Sequence, residues 1–300
     1  MNKEHRPFVK IIESRQNSLF KQVLKYSNNR RRREQELVWI ENPRHLKRYL
    51  DSYQARNLKP EIQTLIASAS YYNTADNATF LHEIFPNCRE FALVSDPLIK
   101  DVAFCSTSKL IALVRWQACE LDTLPAGQSN RRYLILDEIE KPGNLGAILR
   151  SCDGAGVDGV IVIGEKTQQK KPQYDDHNTE QGDQQEIIRS HCDLGHASVV
   201  QNSMGALFSV PIALASFDQI LPWLKHENIT LYLGSPEAKL NYTSPYDQKS
   251  CLLVGREESG ISERWRTIEG AQLRSIPMMG VCDSLNVATS TAIFLYAMCS

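Results

Sequence analysis

The sequence predicts an α/β fold in two domains, the second built on a parallel sheet covered on both faces and the first a smaller α/β module. Three observations carry that expectation. The chain has 300 residues, more than one core usually organises. Its second half holds near-continuous apolar runs, YLILDEI (133–139), GVIVIG (159–164), SVPIALA (209–215), ITLYLG (229–234), SCLLVG (250–255) and LRSIPM (273–278). They are separated by stretches long enough for crossovers, as in strands buried on both faces. The first half alternates helical stretches with shorter strand candidates, ELVWI (36–40), IQTLIAS (62–68), EFALVS (90–95) and KLIALVRW (109–116).

Taken in chain order, the first helix is marked by Leu19, Phe20, Val23 and Leu24, which recur at the spacing of one helical face. Behind it Arg30, Arg31, Arg32 and Arg33 form an unbroken cationic run, read either as a solvated face or as a surface offered to a polyanion. Residues 1–60 hold fifteen Lys and Arg against six Asp and Glu, and the remaining 240 hold nineteen against twenty-nine, so a net charge of −1 conceals a basic end. The segment LDTLPAGQSNRR (121–132) combines Pro125, Gly127 and polar residues and reads as a linker, which sets domains at 1–125 and 126–300. From Leu145 to Ala155 the apolar period is helical, giving strand, helix, strand with its neighbours. EKTQQKKPQYDDHNTEQGDQQ (165–185) is almost free of apolar residues and reads as a solvated, disordered insertion.

Composition excludes several classes. Hydrophobic content of 42% and charged content of 23% leave no room for wholesale disorder. No stretch approaches the roughly 18 apolar residues of a membrane span, and MNKEHRPFVK is too polar for a signal peptide, so the default location is the cytoplasm. The eight cysteines form no CxxC pair and read as reduced, mostly buried thiols. His177, His191, Cys192 and His196 lie close in sequence, but their spacing fits no zinc pattern, and no metal is expected.

Two glycine patterns are decoys. Gly154, Gly156 and Gly159 satisfy G-x-G-x-x-G, yet a helix precedes them and a strand follows, the inverse of a dinucleotide fingerprint; they read as a helix C-cap and turn. Gly255 and Gly260 have P-loop spacing, but Ile261 and Ser262 follow where Lys and Ser or Thr belong. Three polar loops carry more. KPGNLGAILRSCDGAG places Asn144 at a helix start and Arg150 in its second turn, LLVGREESGIS ends a strand with Glu257 and Glu258, and IPMMGVCDSLNVATS brings Ser284 and Asn286 to another helix start. Each follows the carboxyl end of a strand, the edge at which ligands bind in parallel α/β sheets, so the three are expected to converge.

These residues resemble the SpoU-type branch of the SPOUT RNA methyltransferases. The resemblance covers roughly 132–300 and rests on Asn144-Leu-Gly-x-x-x-Arg150, Gly255-x-Glu257-x-x-Gly260, Ile276-Pro-Met-x-Gly280 and Ser284-Leu-Asn-Val287, with Asn202-Ser-Met-Gly-Ala206 as a further match beside a Gln201 where Arg is common. It implies a trefoil knot, an S-adenosylmethionine cofactor held mainly by backbone at Gly255, Ile276 and Leu285, with Met278 and Gly234 as weaker members, and a homodimer whose partner subunit completes the site. The segment IIESRQNSLFKQVLKYSNNRRRREQELVWIEN (11–42) looks like the opening of the ribosomal-protein-like RNA-binding domain found in ribosomal RNA members, although Glu41-Asn42 stands where those often have Glu-Gly.

The activity so implied is transfer of a methyl group to a ribose 2′-hydroxyl, of ribosomal before transfer RNA. The electrophile arrives activated, so side chains are needed where charge develops on oxygen. Arg150 is expected to stabilise that oxyanion, since its very high pKa argues against a general base. Asn144 and Glu257 are expected to fix the arginine and the loops, and Ser284 and Asn286 to place the ribose. An inactive RNA-binding assembly factor of the same fold is the alternative from another class, and an NAD-dependent oxidoreductase would rest on the inverted glycines alone.

Overall fold

The computed structural model describes residues 11–125, 130–170, 184–257 and 259–300. Two compact units emerge: one runs to Gln117 and includes Gly195–Gln201, the other comprises Ala118–Leu194 and Asn202–Ser300. Among the described residues no helix is long and apolar enough to cross a membrane.

In the first unit five strands, β1 (Ile11–Ile12), β2 (Leu37–Ile40), β3 (Ile62–Ser68), β4 (Cys88–Val94) and β5 (Leu110–Arg115), form a mixed sheet in the order β1-β4-β3-β5-β2. β1, β4 and β3 run parallel, whereas β5 is antiparallel to both β3 and β2. Helix Ser18–Tyr26 forms where the apolar face predicts it, its first turn closed by Asn17 accepting from the Leu19 and Phe20 N–H groups. Phe20 and Val23 enter the core, but Leu24 remains 47% exposed. Segment Gly195–Gln201 from the second half joins this unit: the Gly195 carbonyl accepts from the Trp39 N–H at 3.0 Å, and Ala197 enters the core with Trp39 and Ile66. A Cβ on Gly195 would stand 2.4 Å from the Leu37 carbonyl oxygen, so only glycine permits this approach.

The second unit contains β6 (Arg131–Leu136), β7 (Gly159–Lys170), β8 (Gln184–Ser190), β9 (Ile212–Ala215), β10 (Thr230–Gly234), β11 (Lys249–Val254) and β12 (Gln272–Arg274). Their order is β12-β10-β11-β6-β7-β8, with β9 also on β7, and every pair is parallel except β7 with β8. The near-continuous apolar runs are thus the strands of a parallel sheet. Tyr133, Ile135, Ile161, Leu233, Cys251, Leu253 and Trp265 fill the core on one face. Leu121 and Leu124, on the segment read as a linker, are buried in that core. Helix Pro142–Ala155 buries Leu145, Ile148, Leu149 and Cys152, a stripe spaced i, i+3, i+4, i+7, each aliphatic side chain contributing about 1.5–3 kcal/mol. It ends at Gly156, whose φ of 69° is the left-handed cap read from the sequence, so the first decoy is a helix terminus followed by a strand.

Three expectations need correction. The polar insertion is in part regular structure: β7 continues to Lys170 and pairs antiparallel with β8 from Gly164↔Ser190 to Lys170↔Gln184. A two-stranded ribbon open to water needs no apolar run, only backbone pairing, which is why its composition resembled disorder; residues 171–183, including His177, lie outside the described residues. The expected strand 273–278 stops at Arg274, because the Ser275 N–H turns to the Leu240 carbonyl and Pro277 has no donor for a ladder. The cysteines are all unpaired, but only Cys152, Cys192 and Cys251 are buried, and Cys105 and Cys282 are exposed. Among the described residues no cluster of His, Cys, Asp or Glu could hold a metal.

Candidate active site

β6 and β11 are neighbours running in the same direction, with Leu136 opposite Val254, so the loops that leave their carboxyl ends lie side by side. The loop after β6 enters helix Pro142–Ala155, with Lys141 at its N-cap and Pro142 at N1. That places Asn144 in the first turn rather than at the cap. Its amide donates to Glu257 Oε1 from the β11 loop. Glu257 Oε1 also accepts from Asn286 Nδ2 at 3.0 Å, and Asn286 Nδ2 lies 3.3 Å from Asn144 Oδ1. Asn286 is itself the N-cap of helix Val287–Cys299, accepting from the Ala288 N–H at 2.9 Å. Residues from three separate loops therefore meet on one carboxylate, whose other oxygen takes the Lys141 ammonium.

The same pair of loops is joined a second time. Arg256 spans Glu138 at 2.7 Å and Glu140 at 3.1 Å. Together Glu138, Ile139, Glu140, Lys141, Asn144, Arg256, Glu257 and Val287 line an open cleft of about 430 Å³. Beneath it the buried Asp137 carboxylate receives Arg264 at 2.7 Å, the Trp265 indole N–H at 2.6 Å and the Ser262 hydroxyl at 3.4 Å. A buried carboxylate is retained at low cost only when its lone pairs are filled in this way, and here it ties the segment after the β11 loop to the end of β6. Sequence reasoning missed Asp137, Lys141 and Arg256. Asp137 had a signal, an acidic residue directly after the apolar run YLIL; the other two had none, since their partners lie more than a hundred residues away in sequence.

Gly255 opens the β11 loop. A Cβ there would lie 2.3 Å from the Gly260 carbonyl oxygen, and Gly260 itself adopts φ +65°, so the spacing Gly255-x-x-x-x-Gly260 encodes a tight return of the chain. Glu258 lies outside the described residues. Gly234 closes β10 against the Phe294 ring, 3.0 Å from where a Cβ would stand.

Ile276, Met278 and Leu285 lie on the segment between β12 and the last helix, and all three are half-buried. Among the described residues, no backbone–backbone hydrogen bond engages the N–H or C=O groups of residues 276–285. Such a segment leaves donors and acceptors open, as a ligand held by backbone groups requires.

Arg150 and Ser284 do not join the cluster. Both are exposed, and neither side chain has a hydrogen bond or ion pair among the described residues. The reason for Arg150 is helical geometry: at about 3.6 residues per turn it falls opposite the stripe Leu145, Ile148, Leu149 and Cys152. The same segment exposes Met279 at 95% and Val281 at 99%.

In the first unit the arginine run does not act as a single surface. Arg30 and Arg31 are exposed, Arg30 paired to Glu34 at 2.9 Å, but Arg32 is fully buried, donating to the Tyr26 carbonyl and to Asn29 Oδ1, both at 2.8 Å. A short helix, Asn29–Glu34, turns successive side chains to different sides and directs the third arginine inward as a brace for the preceding helix end. Arg33 is half-buried.

The SpoU rRNA Methylase family profile matches residues 131–191 and 183–296, which contain the whole cleft. Among curated proteins the chain is similar to a 23S rRNA (uridine(2479)-2′-O)-methyltransferase of Streptomyces viridochromogenes, 27% identical over 63% of this chain and 58% of that protein. It is also similar to the 23S rRNA (guanosine-2′-O-)-methyltransferase RlmB of Escherichia coli, 31% identical over 61% and 65%. The chain thus matches about three fifths of the length of these relatives. Among solved structures, an AdoMet-bound rRNA methyltransferase from Sinorhizobium meliloti superposes with a TM-score of 0.75 at 23% identity, covering 96% of this chain and 97% of that one, which establishes the shared fold. With a family match spanning more than half of its residues, the chain belongs to the SpoU rRNA methylase family.

Proposed function

We propose that this protein transfers a methyl group from S-adenosylmethionine to a ribose 2′-hydroxyl of ribosomal RNA in the cytoplasm, working as a homodimer. The observation that carries the reading is the meeting of Asn144, Glu257 and Asn286, from three different strand-end loops, beside a segment with open backbone groups. A merely structural sheet edge has no need of this convergence. Two of the relatives are named as ribose methyltransferases of 23S rRNA, one acting on uridine and one on guanosine, which supports ribosomal RNA without fixing the nucleotide.

The open backbone of residues 276–285 and the turn at Gly255 suit the cofactor, with Ile276, Met278 and Leu285 supplying apolar contact and Gly234 a close approach from the neighbouring strand. When bound, S-adenosylmethionine supplies a methyl group already activated by its sulfonium. Asn144, Glu257 and Asn286 hold the three loops in one arrangement, so the positions of the reactants are set before the RNA arrives. Ser284, exposed two residues before Asn286, contacts the ribose in this reading. Arg150 stabilises the charge that develops on the attacking oxygen; exposed on its own chain, it serves the cleft of the partner subunit. Met279 and Val281, almost fully exposed apolar side chains, support burial against a second copy. The trefoil threading of the loops after β11 and β12 belongs to this same proposal. The basic first unit serves as the RNA-binding module, through Arg30, Arg31 and Arg33, with Arg32 a structural brace.

The test is incubation of the full chain with methyl-labelled S-adenosylmethionine and protein-free 23S rRNA, followed by nucleoside analysis. Label in a 2′-O-methylated nucleoside is the expected result. Binding of the cofactor with no transfer to any ribosomal RNA would favour the assembly-factor alternative.

A further inference from the structure

The first unit carries a constellation that methyl transfer does not use. Glu41 stands directly after β2, and both of its carboxylate oxygens are fully engaged. Oε1 accepts from the Trp39 indole N–H at 2.7 Å and the Phe104 N–H at 2.6 Å; Oε2 accepts from the Cys105 N–H at 2.9 Å and the Ser108 hydroxyl at 2.6 Å. Four charge-assisted bonds from one side chain fix the connection between helix Asp96–Val102 and β5 in a single conformation. What that connection presents is Phe104, 47% exposed, seated edge-on against the buried Trp39 ring at 5.4 Å and tilted against the His196 ring at 5.1 Å.

Half-exposed on a rigidly held loop, the phenylalanine leaves unrealised roughly half of the burial free energy its ring would contribute, which a partner covering its open face would recover. The surroundings say which kind. Cys105, Ser106 and Thr107 beside it are exposed and polar or small, so within this loop the ring is the one large apolar face on offer. The strand register places the loop at the carboxyl edge of the parallel strands, since Ile12 and Ser68 both align with Val94, and Ala67 aligns with Leu110 at the start of β5. Arg15 and Lys109 occupy the same edge, held by Asp101 at 2.6 Å and Asp96 at 3.2 Å, and Arg44 is exposed in the helix that Asn42 caps. A lone aromatic face amid hydroxyls and cations matches an unpaired nucleobase next to its phosphates.

We propose that Phe104 is a stacking platform for an unpaired base of the RNA, and that Glu41 is the positioning residue that holds it ready. This rests on the ribosomal RNA reading above and adds where the first unit grips a looped-out or single-stranded nucleotide.

The test compares full-length wild type, Phe104→Ala, Phe104→Leu and Phe104→Trp for affinity to protein-free 23S rRNA, with S-adenosylmethionine affinity and thermal unfolding measured on each. Stacking predicts that Ala and Leu both weaken RNA binding by between about five-fold and a hundred-fold, that Trp restores it, and that KM for RNA rises while kcat at saturating RNA is unchanged. Cofactor affinity stays at the wild-type value in all four. Glu41→Gln, which keeps the size but not the charge, raises KM in the same way while Phe104 is intact. If wild type binds RNA and Ala and Leu bind it equally well, the stacking role is overturned and the RNA reading survives. Rescue by Leu would replace stacking with simple apolar contact and overturn it too. If wild type binds no ribosomal RNA, the broader reading fails first.

Discussion

Two parts of the second unit that share one helix are in opposite states. Asn144, in the first turn of helix Pro142–Ala155, is locked to Glu257 and Asn286, whereas Arg150, less than two turns further, is exposed and engages no side chain among the described residues. The first is a finished arrangement, and the second is half of one. The difference is what the proposed function requires, in which a single chain organises the loops of its cleft and a second copy completes it. Side chains that must stay fixed are satisfied internally, and those that must meet charge on another molecule are left in water.

The strongest way to break that comparison is Arg150→Ala. If Arg150 has the proposed role at the oxyanion, its loss lowers methyl transfer by about a hundred- to a thousand-fold while calorimetry gives unchanged S-adenosylmethionine affinity. A parallel loss of cofactor binding would put Arg150 in the assembled half instead. Gly255→Ala comes next and acts on the other side: its Cβ would meet the Gly260 carbonyl at 2.3 Å, so the loop must shift and carry Glu257 with it. Cofactor affinity is expected to fall about ten-fold, with retention of wild-type affinity showing that the turn is not part of the cofactor site.

Asn286→Ala removes both a helix cap and one member of the cluster. It should cost about 1 kcal/mol of stability, visible as a midpoint shift of a few degrees, together with a drop in turnover. Asn286→Asp keeps the cap and sets a second carboxylate beside Glu257, so the two variants separate capping from clustering: Asp is expected to recover the stability and not the turnover. The smallest effect belongs to Lys141→Ala. Its side chain is 69% exposed, and ion pairs of that kind contribute about 0–1 kcal/mol, so stability should barely move. A loss as large as that of Asn286→Ala would show that neutralising Glu257 matters more than its exposure suggests.

Much of this arrangement was legible in the sequence, for identifiable reasons. Parallel strands buried on both faces must be apolar throughout, which made β6, β7, β10 and β11 visible, and a helix docked on a sheet must show the spacing of Leu145, Ile148, Leu149 and Cys152. Asn144, Glu257 and Asn286 could be expected to converge because each follows a strand end. The ribbon of β7 and β8 was hidden because pairing between exposed backbones leaves no hydrophobic pattern. Arg32 was misread because a cationic run gives no phase for a six-residue helix, and only the structure shows which arginine turns inward. Glu41 gathers donors from a distant loop and has no local spacing to betray that, and the one signal of Asp137, an acid directly after an apolar run, does not say which donors it gathers.

The claim that Arg150 completes the cleft of a partner chain is tested most directly by mixing two impaired variants, Arg150→Ala and Asn286→Ala, after unfolding and refolding them together. If the arginine acts across subunits, each mixed dimer holds one site with both residues intact, and methyl transfer to 23S rRNA should return to about a quarter of the wild-type rate at equal mixing. If Arg150 acts on its own chain, every site in the mixture carries a defect, and the activity will stay at the level of the separate variants.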